Sequence, residues 1–452
     1  MRITAIPHDE ARIGAAFRTF FNMARLIVDG GRPLSGAITP SANKNAVLPV
    51  LCATLLTREP VSLANVPDIT DARKIIDVFR ALGASVEADF SSGNIAIHHA
   101  RIARDATPEL PAGMRSSVML IPALMHRVDR VVLHDDAKGC TLGIREIDPH
   151  IELFQALGAT VEAVAGGVVV TSPKAFRPVR HWLAYASVTT TENFLMGAAV
   201  AGGKSRLVNG ASEPHVQELA AFLTRMGAAI EGAGASTLDV DGRAELGGAD
   251  YAFREDFHEI ATFLALGAIT GGRMQVKNSA PDQFQLLDRT FAKFGVEISH
   301  LGGWSRVAGG PLTVRQPFTR HMLQKVEAAP WPYVPADLLP IFIALGVRAE
   351  GQVMFWNKVY EGALGWTAEL AKFGAQAVTC DPHRVITFGG RPLVPAEVES
   401  PYIIRVAIAF LMIAASIPGR STIIHADPIR RAHPRFAENL VSLGGAVAWA
   451  ED

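Results

Sequence analysis

The sequence predicts an α/β protein made of two similar domains, and three observations predict it. One motif recurs six times: Phe79-Arg-Ala-Leu-Gly83, Phe154-Gln-Ala-Leu-Gly158, Leu223-Thr-Arg-Met-Gly227, Phe291-Ala-Lys-Phe-Gly295, Leu370-Ala-Lys-Phe-Gly374 and Leu440-Val-Ser-Leu-Gly444. The glycines lie 75, 69, 68, 79 and 70 residues apart, and a Val/Ile-containing run follows each. This is an amphipathic helix end, a glycine that leaves the helix in the left-handed conformation, then a strand. Secondly, each interval holds another helix that is apolar almost all round: near 45–56, 115–126, 189–200, 258–269, 336–347 and 403–417. A helix without a polar face is buried. Thirdly, most of these run into a small turn and a strand, as in Pro60-Val-Ser-Leu and Gly272-Arg-Met-Gln-Val. The unit is therefore βαβαβ, with one helix set enclosed by sheets. At ~70 residues it is long for a solenoid repeat. Three units per domain give two domains with a cleft between them, where pockets form preferentially.

The elements follow in order. Residues 1–25 carry Asp9, Glu10 and a broken apolar pattern, so they read as an N-terminal extension, helical from Ala11 to Leu26, and not as a secretory signal. The strand Leu26-Ile-Val-Asp precedes the first unit. In the second unit, 134–150 joins the strand Val131-Val-Leu to a helix beginning at Ile151. It holds Gly139, Gly143, and Cys140 between Lys138 and Arg145. Cations favour the thiolate, and arginine is the preferred fork for phosphate or carboxylate. The stretch reads as a lid carrying a reactive thiol over an anionic substrate; the competing reading is a surface loop with an incidental cysteine. The polar, glycine-rich 243–251 marks the domain boundary, and Val406 to Pro418 is too short to span a bilayer.

The totals narrow the function. A chain of 452 residues accommodates two or three domains. A net charge of -1 gives no basic footprint for nucleic acid. Three cysteines, Cys52, Cys140 and Cys380, have neither disulfide-framework nor metal-ligand spacing, which points to a reducing cytoplasm.

Two motifs carry a resemblance. Ser41-Ala-Asn-Lys44-Asn45-Ala-Val-Leu-Pro and Gly139-Cys140-Thr141-Leu142-Gly143-Ile144-Arg145-Glu-Ile-Asp148-Pro-His150 resemble the enolpyruvyl transferases, closest to the branch acting on UDP-N-acetylglucosamine in peptidoglycan synthesis. The likeness runs from about Leu26 to the end. It implies two inside-out α/β barrel domains of three repeats each: 44–251 as the first, with the lid, and 26–43 plus 252–452 as the second, the chain crossing twice between them. It implies transfer of the enolpyruvyl group of phosphoenolpyruvate to a hydroxyl of a uridine nucleotide, by addition and then elimination of phosphate, with no metal or other cofactor. A monomer or weak homo-oligomer is expected, with no nucleic-acid or membrane partner.

The resemblance also assigns roles. Lys44 contacts phosphoenolpyruvate and helps trigger closure. Arg115, Arg145, Arg405 and Arg431 hold its charges, though Arg430 competes with Arg431 for the last place. Cys140 is the acid, or aids product release, and is the residue the epoxide fosfomycin alkylates. Asp337 matches the aspartate proposed as base for the acceptor hydroxyl, with a helix cap as its rival reading. Asn45 binds the acceptor, or else merely caps its helix. Asp148, His150, Tyr185, Ser187, Val188 and Glu213 complete the substrate-binding set.

Departures from the motif gather on the acceptor side. Tyr185 stands for a lysine, Thr189 for a glycine, Ser212 and His215 for an arginine and a glutamate, Phe257 and Ala363 for arginines, and Glu146-Ile147 for Pro-Val. Each cation lost from a diphosphate site removes a contact worth ~1.5–3 kcal/mol. For Phe257 and Ala363 surface drift is an equal alternative. Three readings follow: UDP-N-acetylglucosamine as acceptor; another nucleotide, such as a uridine monophosphate in nucleoside-antibiotic assembly; or a non-catalytic protein that kept the fold. The lid and Lys44-Asn45 disfavour the shikimate-pathway relative.

Overall fold

A computed structural model describes residues 24–111, 113–134, 146–319 and 321–450. All six repeat glycines have positive φ, from 77° at Gly374 to 110° at Gly227, as the helix-exit argument requires. Five of the preceding segments are α-helices; the fifth repeat's, Gly365–Phe373, is instead a 3-10 helix. The apolar helices fall where expected: Lys44–Ala53, Leu120–Arg127, Val188–Ala199, Phe257–Thr270, Leu339–Arg348 and Ile404–Ala415. In the second and fifth units the first turn is 3-10, at Arg115–Met119 and Ala336–Leu338.

The unit holds one strand more than the sequence suggested. After the repeat glycine the chain makes a hairpin, as in Ser85–Asp89 with Asn94–His98, because Asp89-Phe-Ser-Ser-Gly93 supplies turn residues and Gly93 adopts φ 73°. Among the described residues four units are thus βαβαββ; the second has no strand ahead of its apolar helix, and in the sixth Arg25–Gly30 takes the place of the last strand. Each four-stranded sheet combines one parallel pair with two antiparallel ones, as in Arg180–Trp182 beside Gly203–Val208, Thr237–Gly242 and Ala229–Glu231. Six such sheets form among the described residues, five four-stranded and one three-stranded.

The apolar helices lie inside and the sheets outside, giving two α/β domains with separate cores. One core runs from Ala42 to Phe253; the other joins Leu26, Val28 and Leu34 to residues from Phe257 to Leu443. In the second core, Phe257–Thr270, Leu339–Arg348 and Ile404–Ala415 pack pairwise. Two strands show how the chain passes between cores. Gly36–Ile38 precedes the first core's first helix but pairs with Arg273–Lys277 of the second. Ala249–Ala252 precedes the second core's first helix but pairs with Val61–Ala64 of the first. The segment read from sequence as a polar step therefore ends in a sheet strand. Arg25–Gly30 pairs on both sides with C-terminal strands, Leu26 opposite Ile423 and Ile27 opposite Ala448.

Candidate active site

The fold gives the site its plan. One polar constellation sits at the N-terminal end of each of the six buried helices: Lys44 and Asn45; Arg115; Ser187 and Val188; Asp256 and His258; Asp337; Arg405. Helix N-termini present unpaired N–H groups and the positive end of the helix dipole, which suits anions. Contacts tie these ends together across the two cores. Ser41 donates to Glu259 Oε2 from both its backbone N and its Oγ, each at 2.8 Å. Asp256 N donates to Ser41 O at 2.8 Å. Arg405 Nη2 lies 3.9 Å from Asp256 Oδ2. Ser212 Oγ donates to Trp331 O at 3.1 Å, and Trp331 N donates to Glu213 Oε1 at 3.4 Å.

Individual residues resolve several alternatives. Lys44 is ion-paired with Asp71 at 3.0 Å and remains a quarter exposed. Asn45 does not cap its helix; Asn43 does, its Oδ1 accepting from Asn45 N at 2.8 Å. Asp337 is no helix cap either: Pro335 and Leu338 hold the cap positions, and no described residue hydrogen-bonds its carboxylate. Arg430 lies over the Trp449 ring, 5.1 Å from the centroid, whereas Arg431 is exposed, with its charge lowering the Tyr402 hydroxyl against the effect of burial. Asp148 starts its helix and is exposed. Phe257 is 3 % exposed and packs edge-on against Trp331, so surface drift does not explain it. Lys138, Cys140 and Arg145 lie outside the described residues. Cys52 is fully buried, and burial pushes its thiol far up, so it is an inert thiol.

His150 is held from several sides. Asn193 Nδ2 donates to its Nδ1 at 2.9 Å and also lies 3.2 Å from Val118 O. That assignment leaves the proton on Nε2, which faces Thr189 Oγ1 at 3.2 Å and Thr190 Oγ1 at 3.4 Å. Burial, and then the charge of Arg115, push His150 down to about 3, so it is neutral near pH 7. Ser187 caps the helix that carries Thr189, accepting from Thr190 N at 3.3 Å. Tyr185 is 47 % exposed just ahead of it.

Several buried polar atoms in this region have no hydrogen-bond partner among the described residues. Glu192 Oε1, Asn193 Oδ1, Glu213 Oε2, His215 Nδ1, Arg405 Nη1 and His433 Nδ1 are such atoms. Burial and then the charge of Glu213 raise Glu192 well above the carboxylate range. Burial raises Glu259 to about 7, with Asp256 adding to it and Ser41 opposing. Burial raises Asp256 too, but His258, Arg405 and His433 outweigh this and hold it far below the usual range. His215 and His433 are pushed down to about 3, mainly by burial. The cluster thus mixes a carboxyl held low (Asp256), carboxyls held high (Glu192, Glu259) and imidazoles held low (His215, His433), the setting in which acid and base roles separate. His258, Glu259, Glu192, Asn193 and His433 were not singled out from sequence, although acidic and histidine residues opening a wholly apolar helix are a legible signal. A groove of ≈ 790 Å³ lies elsewhere, lined by residues including Ser62, Asp89, Arg225 and Tyr251, and shares none of these groups.

The EPSP synthase (3-phosphoshikimate 1-carboxyvinyltransferase) model matches residues 28–440. The chain belongs to that family. It is an enolpyruvyl transferase. UDP-N-acetylglucosamine 1-carboxyvinyltransferase of Bradyrhizobium diazoefficiens is 36% identical over 425 residues, 93% of this chain and 97% of the relative. Those of Borrelia garinii and Treponema pallidum are 32% and 34% identical, each covering 94% of this transferase and 99% of the relative. Among solved structures, the enolpyruvyl transferase NikO from Streptomyces tendae superposes with TM-score 0.82 at 22% identity, covering 95% and 99% of the two chains. EPSP synthase from Acinetobacter baumannii gives 0.74 at 17%, covering 95% and 100%. At such identities the last two show the fold. Among the described residues, no helix is long and apolar enough to cross a membrane, and no group of three His, Cys, Asp or Glu is placed to hold a metal ion.

Proposed function

We propose that this transferase moves the enolpyruvyl group of phosphoenolpyruvate onto a hydroxyl of a uridine nucleotide, with UDP-N-acetylglucosamine as the default acceptor. What supports the reading is that Lys44, Arg405 and Asp337 each stand at the start of a buried helix, with Arg405 beside Asp256 and with buried polar atoms that lack partners among the described residues. The names of the relatives supply the acceptor. Lys44, Arg115, Arg405 and Arg431, with Arg145 of the lid, neutralise phosphate and carboxylate. Cys140 protonates the methylene carbon. Asp337 faces the acceptor hydroxyl. Asn45, Ser187, Val188 and Glu213 hold the acceptor body, while Asp148 and His150 fix the C-terminal end of the lid. Enclosure of the reacting groups strengthens each electrostatic contact and excludes water from the tetrahedral adduct.

A second acceptor is favoured by specific positions. Thr189 and Phe257 are built into the site, one facing His150 and the other packed on Trp331, and Tyr185 is presented where a cation would bind diphosphate. A smaller nucleotide such as UMP fits that loss of positive charge. Phosphate release from phosphoenolpyruvate with each acceptor decides between them. The default expects turnover with UDP-N-acetylglucosamine; turnover with UMP alone overturns it. Mass measurement after fosfomycin treatment is expected to show one adduct, on Cys140. No adduct and no turnover would favour a binding protein.

A further inference from the structure

Trp331 bridges the two domains. Its side chain packs on the second core, edge-on to Phe257 with ring centroids 5.9 Å apart. Its backbone is held from the first domain at both polar groups. Ser212 Oγ donates to Trp331 O at 3.1 Å, and Trp331 N donates to Glu213 Oε1 at 3.4 Å. Ser212 is 4 % exposed and lies between Ala211 of the first core and the helix Pro214–Arg225. Its own carbonyl accepts from Gln217 Nε2 at 2.9 Å, so the residue is fixed where its hydroxyl meets Trp331. Ser212 and Phe257 both stand where the family motif has an arginine, and both touch this one residue. The two departures are therefore parts of a single contact between domains.

What the contact holds is the loop that leads to Asp337, and that loop is closed on itself. Ala328 bridges Val334, and Ala329 N donates to Val334 O at 3.1 Å. Tyr333 N donates to Pro330 O at 3.2 Å, and Leu338 N to Pro335 O at 2.9 Å. Lys358 N donates to Ala328 O at 2.9 Å, just past the strand Gly351–Asn357. A segment tied in this way moves as a body, so a shift at Trp331 is passed on to Asp337.

We propose that Ser212 and Trp331 are positioning residues: their contact sets the distance between Asp337, on the second domain, and the acceptor hydroxyl, whose holding groups Asn45, Ser187, Val188 and Glu213 are on the first. The assignment rests on the enolpyruvyl-transfer reading above, in which Asp337 faces that hydroxyl, and adds what places it there. A base acts only within hydrogen-bond reach of the proton it takes. Misplacement by about 1 Å, even from a change far from the chemistry, lowers turnover. Lys44, Arg115 and Arg405, assigned to phosphoenolpyruvate, stand at the starts of other helices. Loosening this loop is therefore felt in kcat rather than in KM for phosphoenolpyruvate.

Ser212→Ala removes the donor and adds no bulk. It is expected to lower kcat about fivefold, the worth of one neutral hydrogen bond, with KM for phosphoenolpyruvate within about twofold. Ser212→Thr keeps the hydroxyl and is expected to bring kcat back to within about twofold of the parent. Because Ser212 acts through Asp337, its effect vanishes with that carboxylate: in an Asp337→Asn background, Ser212→Ala is expected to change the residual turnover by less than about twofold. Unchanged kcat in Ser212→Ala, no recovery in Ser212→Thr, or the same loss in both backgrounds overturns the proposal. Amide hydrogen exchange of the intact protein without substrate reads the contact independently of turnover. Exchange across residues 329–338 is expected to quicken about fivefold in Ser212→Ala and to match the parent in Ser212→Thr, with the helix Pro214–Arg225 unchanged. Unchanged exchange in the loop overturns the contact whatever the acceptor is. If the parent turns over neither UDP-N-acetylglucosamine nor UMP while loop exchange follows the hydroxyl at position 212, the acceptor reading fails and the contact between domains stands.

Discussion

Arg127 and Arg405 are both nearly buried, each belongs to a core helix, and they are held in opposite ways. Arg127 closes the Leu120–Arg127 helix, and its guanidinium donates to three backbone carbonyls: Leu55 O at 3.3 Å, Thr57 O at 2.8 Å and His99 O at 2.5 Å. Arg405 opens the Ile404–Ala415 helix. Among the described residues it has one ion pair, stretched to 3.9 Å, and Nη1 has no partner. A buried charge is costly unless paired and hydrogen-bonded. Arg127 has no counter-ion among the described residues, but its hydrogen bonds are met within the protein, and so it belongs to stability. Arg405 leaves its hydrogen bonds half met, and an anionic substrate would complete them. The lesson is that burial of a charge does not identify a site; the state of its hydrogen bonds does.

The comparison breaks most visibly at Arg405. Arg405→Lys keeps the charge but loses the planar fork, and kcat/KM for phosphoenolpyruvate is expected to fall about 10²–10³-fold with little change in Tm. Steady-state phosphate release and a thermal melt read the two effects. A variant that melts early and turns over normally would make Arg405 another Arg127.

Arg127→Met is expected to do the reverse. It leaves the three carbonyls in a buried setting without a donor, at a cost of about 3 kcal/mol. For a domain of this size the melting temperature should drop by roughly 6–12 °C. Turnover per folded molecule should be unchanged at a temperature where both proteins are folded. If kcat falls while Tm holds, the structural assignment of Arg127 is wrong.

How much of this was legible in the sequence follows from the same physics. The repeat glycines were readable because left-handed backbone restricts the residue type, and every one of the six has positive φ. The buried helices were readable because no polar face survives on them. Arg405 was readable as an anion partner because an arginine opens such a helix. The hairpin strand of the first five units was missed, since strands of five or six residues separated by short turns carry a weak periodic signal. Asn45 as a possible cap was displaced by Asn43, two residues away, which spacing cannot distinguish. His258 was missed because the groups whose charge environment it shares, Glu213 and His215, come from another repeat and the other core, which spacing in the sequence does not show.

The smallest expected effect lies in Glu259, the carboxyl that shares the Arg405 neighbourhood. Its pKa in the fold is raised to about 7 from an ordinary 4.5, first by burial and then by Asp256. A raised carboxyl favours the neutral form in the fold, so its contribution to stability is whole below pH 4.5 and is lost as pH rises through about 7. Glu218, raised to about 7 mainly by burial, titrates in the same window, so only a difference between proteins isolates Glu259. Glu259→Gln stays neutral throughout, and its amide oxygen can still accept from Ser41 N and Oγ. The parent is therefore expected to lose Tm between about pH 5 and 7.5 more steeply than the variant, the curves converging at the acid end. Parallel curves would mean that Glu259 is already ionised beside Arg405 and His433. Arg405 would then be better paired than its geometry shows, and the contrast with Arg127 would narrow.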